Sequence, residues 1–355
     1  MNLHRSISKD KGNIKEEDNM DRKELMTRYL DGGKLDRVPV SFWYHFVSFH
    51  DHHCGLTDPT VLPRVIAGQK KAYLDMKPDL VKIMSDGFFG HPAMTEGLIS
   101  TTDDVKRISR CGENHPWIVK QVEYVSEITN FVNGEAFTYY NIFSPLQYIR
   151  LKFEEYDEDM EKFCRLFRSD PEAMEAAGRE IAADVSVLID KLFSETKVDG
   201  IYYSVQSLQD KSLGKDFHDK YVRPLDLLIL DKILKYTDNI ILHICGYGNY
   251  TNDLRLYRDY PAKIFNWATH SEHVSLKEGK EILEHNMVLG GFDNSQGSIL
   301  YSGSYDDLKK YVYELLDSAG TDGVILGADC TISADIDKNR LEYIRKIAQE
   351  YVSEH

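Results

Sequence analysis

Short apolar runs alternate with amphipathic stretches along most of this chain. Eight runs rich in β-branched and aromatic side chains predict buried strands at 37–44, 79–85, within 136–143, and at 199–204, 239–243, 262–267, 287–291 and 323–327. Before the first of them, Leu25, Met26, Tyr29 and Leu30 share one face of a helix that Asp21 can cap and Gly32-Gly33 can end. Residues 63–76 read as a helix between the first two strands. A long, charge-rich helical region covers 145–196 and breaks at Ser169-Asp170-Pro171, where Asp170 suits a cap and Pro171 a first turn. The last helix is expected at 338–352. Strands alternating with helices predict an α/β fold, a single (β/α)8 TIM barrel. It carries an N-terminal helical extension and an enlarged helical insertion between the third and fourth strands. The barrel is expected over 20–355, behind a disordered polar tail at 1–19.

In such barrels the chemistry gathers at the C-terminal ends of the strands. His45 follows the first strand, Asp86 the second, and Gln206 and Ser207 the fourth. Asn266 and His270 lie at the sixth strand and Asp293 follows the seventh. The fifth strand runs into His243-Ile244-Cys245-Gly246, and alternation puts His243 and Cys245 on one face. Cys330 follows the last strand. One His and two Cys suit zinc and leave a fourth position for a substrate, which marks a catalytic rather than a structural site. The competing reading makes Cys245 and Cys330 packed core thiols.

Composition narrows the classes. A hydrophobic content of 42% in 355 residues supports a sizeable core, and a net charge of −15 argues against nucleic acid and anionic membranes as partners. No apolar run approaches the ~20 residues needed to cross a bilayer. The first 19 residues lack the apolar core of a secretory signal. Cysteines at 54, 111, 164, 245 and 330 form no disulfide framework, which fits a reducing cytoplasm.

Several short stretches in this order resemble the uroporphyrinogen decarboxylase superfamily, which includes cobalamin-dependent methyltransferases. They are Leu35-Asp36-Arg37-Val38-Pro39-Val40, Pro78-Asp79-Leu80-Val81-Lys82, His243-Ile244-Cys245-Gly246, Gly290-Gly291-Phe292-Asp293, and Asp335-Ile336-Asp337 with Asn339. This chain departs from the true decarboxylases, which carry arginines after the first strand where it has Ser41-Phe-Trp-Tyr-His-Phe46, and a His where it has Cys330. The resemblance implies that their substrate-binding aspartate corresponds to Asp86 and a serine to Ser207. A highly anionic porphyrinogen needs cations that this stretch lacks.

The methyltransferase branch implies a different site. Its zinc ligands map onto His243, Cys245 and Cys330, and the zinc holds an acceptor thiol as thiolate for attack on a methyl-corrinoid carried by a partner protein. The resemblance thus implies a zinc-dependent methyltransferase with Zn2+ as cofactor, methylcobalamin or another corrinoid as co-substrate, and a small thiol as acceptor. Asp86 orients a ligand or accepts the acceptor's proton, while His45, Gln206 and Ser207 contact substrate. The resemblance also allows a homodimer. Two alternatives stay open: a decarboxylase of a tetrapyrrole or smaller aromatic acid in porphyrin biosynthesis, and a corrinoid-binding barrel without catalysis.

Two further features need placing. His50-Asp51-His52-His53-Cys54 is either a second metal cluster or a solvated loop. The aromatic groups Phe42-Trp43-Tyr44, Phe88-Phe89 and Tyr202-Tyr203 can line an apolar pocket, although alternation makes about half of them barrel core instead. Asp293 reads as a structural acceptor of backbone donors in its turn.

Overall fold

Seven parallel strands run in sequence order around one sheet in the computed structural model, which describes residues 22–97, 99–156, 159–206, 212–246 and 250–355. They are β1 (Leu80–Ile83), β2 (Phe137–Phe143), β3 (Gly200–Val205), β4 (Ile240–Ile244), β5 (Ile264–Trp267), β6 (Val288–Phe292) and β7 (Val324–Ala328). Every residue of these strands is buried, because helices cover the outer surface and side chains fill the inner one. The result is a TIM-like α/β architecture. The expected tail at 1–19 and the cap at Asp21 lie outside the described residues, as does Ser207.

The expected first strand is not a regular strand. Residues 38–44 run between β7 and β1, joined by isolated parallel bridges from Val40 to Leu326 and from Tyr44 to Ile332. Leu326 N donates to Pro39 O at 2.8 Å, Ser41 N to Leu326 O at 2.9 Å, and Asp79 N to Val40 O at 3.0 Å. Pro39 lacks a donor, which removes one rung from any ladder here. The Asp79 side chain supplies the missing regularity. Arg37 grips it with both guanidinium nitrogens at 2.7 and 2.6 Å, and Val40 N donates to it at 2.8 Å. Two of the short stretches noted above, around Arg37 and Asp79, are therefore parts of one buried clasp.

The helix at Arg22–Leu30 buries Leu25, Met26, Tyr29 and Leu30, the face its pattern predicts. That face packs with Leu80, Phe137, Ile241, Ile264, Leu289 and Ile325 inside the sheet, and Tyr29 Oη donates to Val324 O at 2.7 Å. It floors the barrel at the strands' N-terminal ends. The long helical region between β2 and β3 resolves into Pro145–Leu151, Met160–Ser169 and Pro171–Glu195, with Asp170 accepting from Ala173 N at 3.0 Å as the cap. The last helix, Lys338–Glu354, starts at an Asp337 cap that accepts from Asn339 N at 3.0 Å. Among the described residues no helix is long and apolar enough to cross a membrane.

Candidate metal centre

Alternation along β4 turns Ile241 into the barrel and packs Ile240, Leu242 and Ile244 against the outer helices. His243 shares the inward side with Ile241, and Cys245 follows where the strand ends. Cys330 arrives two residues after β7. One nitrogen from His243 and the sulfurs of Cys245 and Cys330 lie within 4.8 Å of one another. They open into a cavity of about 600 Å3 at the C-terminal ends of the strands, lined also by His45, Lys82, Gln206 and Asp293.

The tautomer of His243 is set by its neighbours. Asn266 Nδ2 donates to Leu289 O at 2.8 Å, which turns Asn266 Oδ1 toward the imidazole. His243 Nδ1 lies 2.5 Å from that oxygen, and Tyr202 Oη donates to the same atom at 2.7 Å. The Nδ1 hydrogen is thereby committed, and the Nε2 lone pair points at Cys330 Sγ, 3.6 Å away. A tetrahedral centre with ordinary zinc–nitrogen and zinc–sulfur bonds separates its N and S ligands by roughly 3.6 Å. The donor set and its spacing fit zinc.

Among the described residues three other groups offer similar atoms, and their surroundings distinguish them. In His91–Cys111–Asp184, His91 Nδ1 accepts from Ala93 N at 3.2 Å, so Nε2 carries the hydrogen and faces Asp184 Oδ2 at 3.3 Å. That histidine has no lone pair to offer. His50–Asp51–Cys54 is at the surface, with Asp51 paired to Arg64 at 3.0 Å. The expected His50–Cys54 cluster is thus split. His52 turns inward, its ring 4.2 Å from that of His45 and 4.6 Å from that of Phe89.

His45, His52 and Asp86 form the last group. Asp86 does not line the cavity. It is fully buried, 2.8 Å from His45 Nδ1, and accepts from Phe46 N at 2.8 Å. His45 is the group that reaches the cavity, and Asp86 positions it. Burial pulls the His45 pKa down, but Asp86 more than offsets this and the value is raised. Burial pushes Asp86 the other way, yet His45 and the Phe46 amide hold it below the usual carboxylate range.

Gln206 lines the cavity as expected. Its Oε1 accepts from Gln147 Nε2 at 3.4 Å, while its own Nε2 has no hydrogen-bond partner among the described residues. Asp293 accepts from Ser295 N at 2.8 Å, the structural role expected of it, although it also borders the cavity. Cys330 is held low by its neighbour Cys245 and by the Lys82 charge, and Cys245 is raised by Cys330 and by burial.

Sequence reasoning missed Lys82 and Arg150. Burial pushes Lys82 down to about 8, against the pull of Cys330, Cys245 and Asp86. Arg150 is buried at the cavity wall, paired with Glu154. A lysine at an inward position of a buried strand was the available signal. Nothing local marked Arg150, which lies in a helix of the insertion. Gly246 also has a local reason. An added Cβ would meet Glu272 Oε1 at 2.0 Å. Glu272 holds Asn252, whose Nδ2 donates to Cys245 O at 2.7 Å and so fixes the cysteine backbone.

The signature described as uroporphyrinogen decarboxylase (URO-D) matches residues 84–351. The chain belongs to the uroporphyrinogen decarboxylase family. This family member is 24% identical over 173 residues to the methylcobamide:CoM methyltransferase MtbA of Methanosarcina acetivorans, a stretch covering 48% of each chain. It therefore spans about half the length of that curated relative. Among solved structures, a methyltransferase from Methanosarcina mazei superposes with a TM-score of 0.65 at 15% identity, covering 94% of this chain and 99% of the other. A B12-independent methionine synthase from Shewanella sp. W3-18-1 gives 0.57 at 13% identity, covering 90% and 98%. At these identities the two structures show a shared fold.

Proposed function

We propose that this family member is a zinc-dependent methyltransferase that moves a methyl group between a corrinoid on a partner protein and a small thiol acceptor. The observation that carries the reading is the tautomer-locked His243, whose Nε2 lone pair meets the sulfurs of Cys330 and Cys245 at the cavity wall. The resemblance to a methylcobamide:CoM methyltransferase supports it. His243, Cys245 and Cys330 would hold Zn2+, which supplies a positive centre that keeps an acceptor thiol ionised and nucleophilic.

The remaining residues have separable roles. His45 lines the cavity as a substrate contact, with Asp86 fixing its ring through Nδ1. Gln206 Nε2, which has no partner among the described residues, would donate to a polar group on the substrate. The transferred carbon neither gains nor loses a proton, so no acid–base pair is needed there. A decarboxylase acting on a multiply anionic tetrapyrrole fits less well. Of the lining cations, Arg150 is already paired with Glu154.

Metal analysis of protein purified without chelator tests the reading. About one zinc per chain is expected, lost in Cys245→Ser and Cys330→Ser with the fold intact by circular dichroism. Folded wild-type protein that takes up no zinc when supplied with it would overturn the proposal.

A further inference from the structure

Lys82 occupies an inward position of β1, between Leu80 and Met84 of the barrel interior. Its neighbours on that side are apolar, so the fold alone asks for an apolar side chain. Its Nζ instead lies 3.7 Å from the ring centre of Tyr202 and 5.0 Å from that of Trp43. The two rings receive the ammonium itself in cation–π contact, and Lys82 also lines the cavity. Tyr202 is in turn stacked beside His243, with ring centres 5.2 Å apart. Among the described cavity-lining cations, Arg150 has Glu154 and His45 has Asp86, while Lys82 has no carboxylate partner and no hydrogen bond. It is only 9% exposed. A buried ammonium without a carboxylate partner is costly, and the sulfurs that line the same cavity indicate what balances it.

We propose that Lys82 is a positioning residue that supplies the counter-charge for a substrate thiolate at the His243–Cys245–Cys330 centre. The inference rests on the metal reading above. The charge count is direct. A divalent ion with two cysteine thiolates and a neutral histidine carries no net charge. A third thiolate, formed as the acceptor binds and gives up one proton to solvent, would leave one negative charge in a shielded cavity. The Lys82 ammonium cancels it. The resting metal site has no such need, so metal affinity and thiol affinity should separate when Lys82 is changed.

The test uses zinc-loaded wild type, Lys82→Met and Lys82→Arg, titrated calorimetrically with 2-mercaptoethanol, an uncharged thiol. Lys82→Met should hold as much zinc as wild type yet bind the thiol at least about tenfold more weakly, the scale of one charge pair in a shielded site. Lys82→Arg, which keeps the charge, should retain the affinity. Equal thiol affinity in wild type and Lys82→Met, with zinc present in both, overturns the inference and leaves the metal reading standing. Wild type without zinc overturns both. If Lys82→Met does not fold, wild type alone decides. Cysteamine, whose ammonium would face Lys82, should bind several-fold more weakly than 2-mercaptoethanol despite its more acidic thiol. Equal or tighter binding of cysteamine overturns the inference.

Discussion

Asn266 Oδ1 sits 2.5 Å from His243 Nδ1, and its own amide nitrogen is tied to Leu289 O, so the asparagine cannot flip without losing both bonds. The amide decides which imidazole nitrogen faces the cysteines. Asn266→Leu leaves the His243 and Tyr202 donors without their buried acceptor. Metal affinity should fall by roughly 10–100-fold in competition with a chromogenic chelator. Stability should fall by about 1–3 kcal/mol in urea unfolding. Asn266→Asp, which keeps an acceptor for Nδ1, should retain more of the metal affinity.

The clasp between Arg37 and Asp79 makes a different prediction, because it lies away from the sulfurs. Arg37→Ala strands a carboxylate with no solvent exposure. The loss should be about 3–5 kcal/mol by urea midpoint. Arg37→Lys should recover little of it, since an ammonium cannot donate the two parallel bonds that Asp79 accepts. Zinc uptake by the folded fraction should be unchanged.

His45 and Asp86 give a pH signature with a definite sign. The raised His45 value contributes stability that is full below the ordinary imidazole range and fades as pH rises through the raised value. The depressed Asp86 value contributes stability that is present above the ordinary carboxylate range and fades as pH falls through its folded value. Both terms are full from about pH 4 to about pH 6.5. Asp86→Asn should therefore destabilise most near pH 5.5, by about 1–3 kcal/mol, and less near pH 8.5. In the variant, the His45 titration followed by NMR should move to lower pH. An unchanged His45 titration would mean that Asp86 does not govern it.

The fold was legible where the pattern is set by burial. The seven strands lie within two residues of their expected bounds, and the face of Arg22–Leu30 was readable from Leu25, Met26, Tyr29 and Leu30. The stretch at 38–44 misled because its apolar character is real while its backbone pairing is interrupted. Trp43 packs inside the barrel and Phe42 and Tyr44 outside, as alternation requires. The coming together of His243, Cys245 and Cys330 followed from strand-end logic. What could not be read was which atoms those groups present. The lone pair of His243 depends on Asn266, and the reach of Asp86 depends on His45 standing in front of it. Neither partner is near in sequence, so only the fold could reveal them.

The helix at Arg22–Leu30 seats itself under the strands and seals that end with leucine, methionine and tyrosine. Among the described residues, the cavity at the sulfur pair opens at the opposite rim. On the proposed function, a small acceptor and a partner protein would meet at that rim.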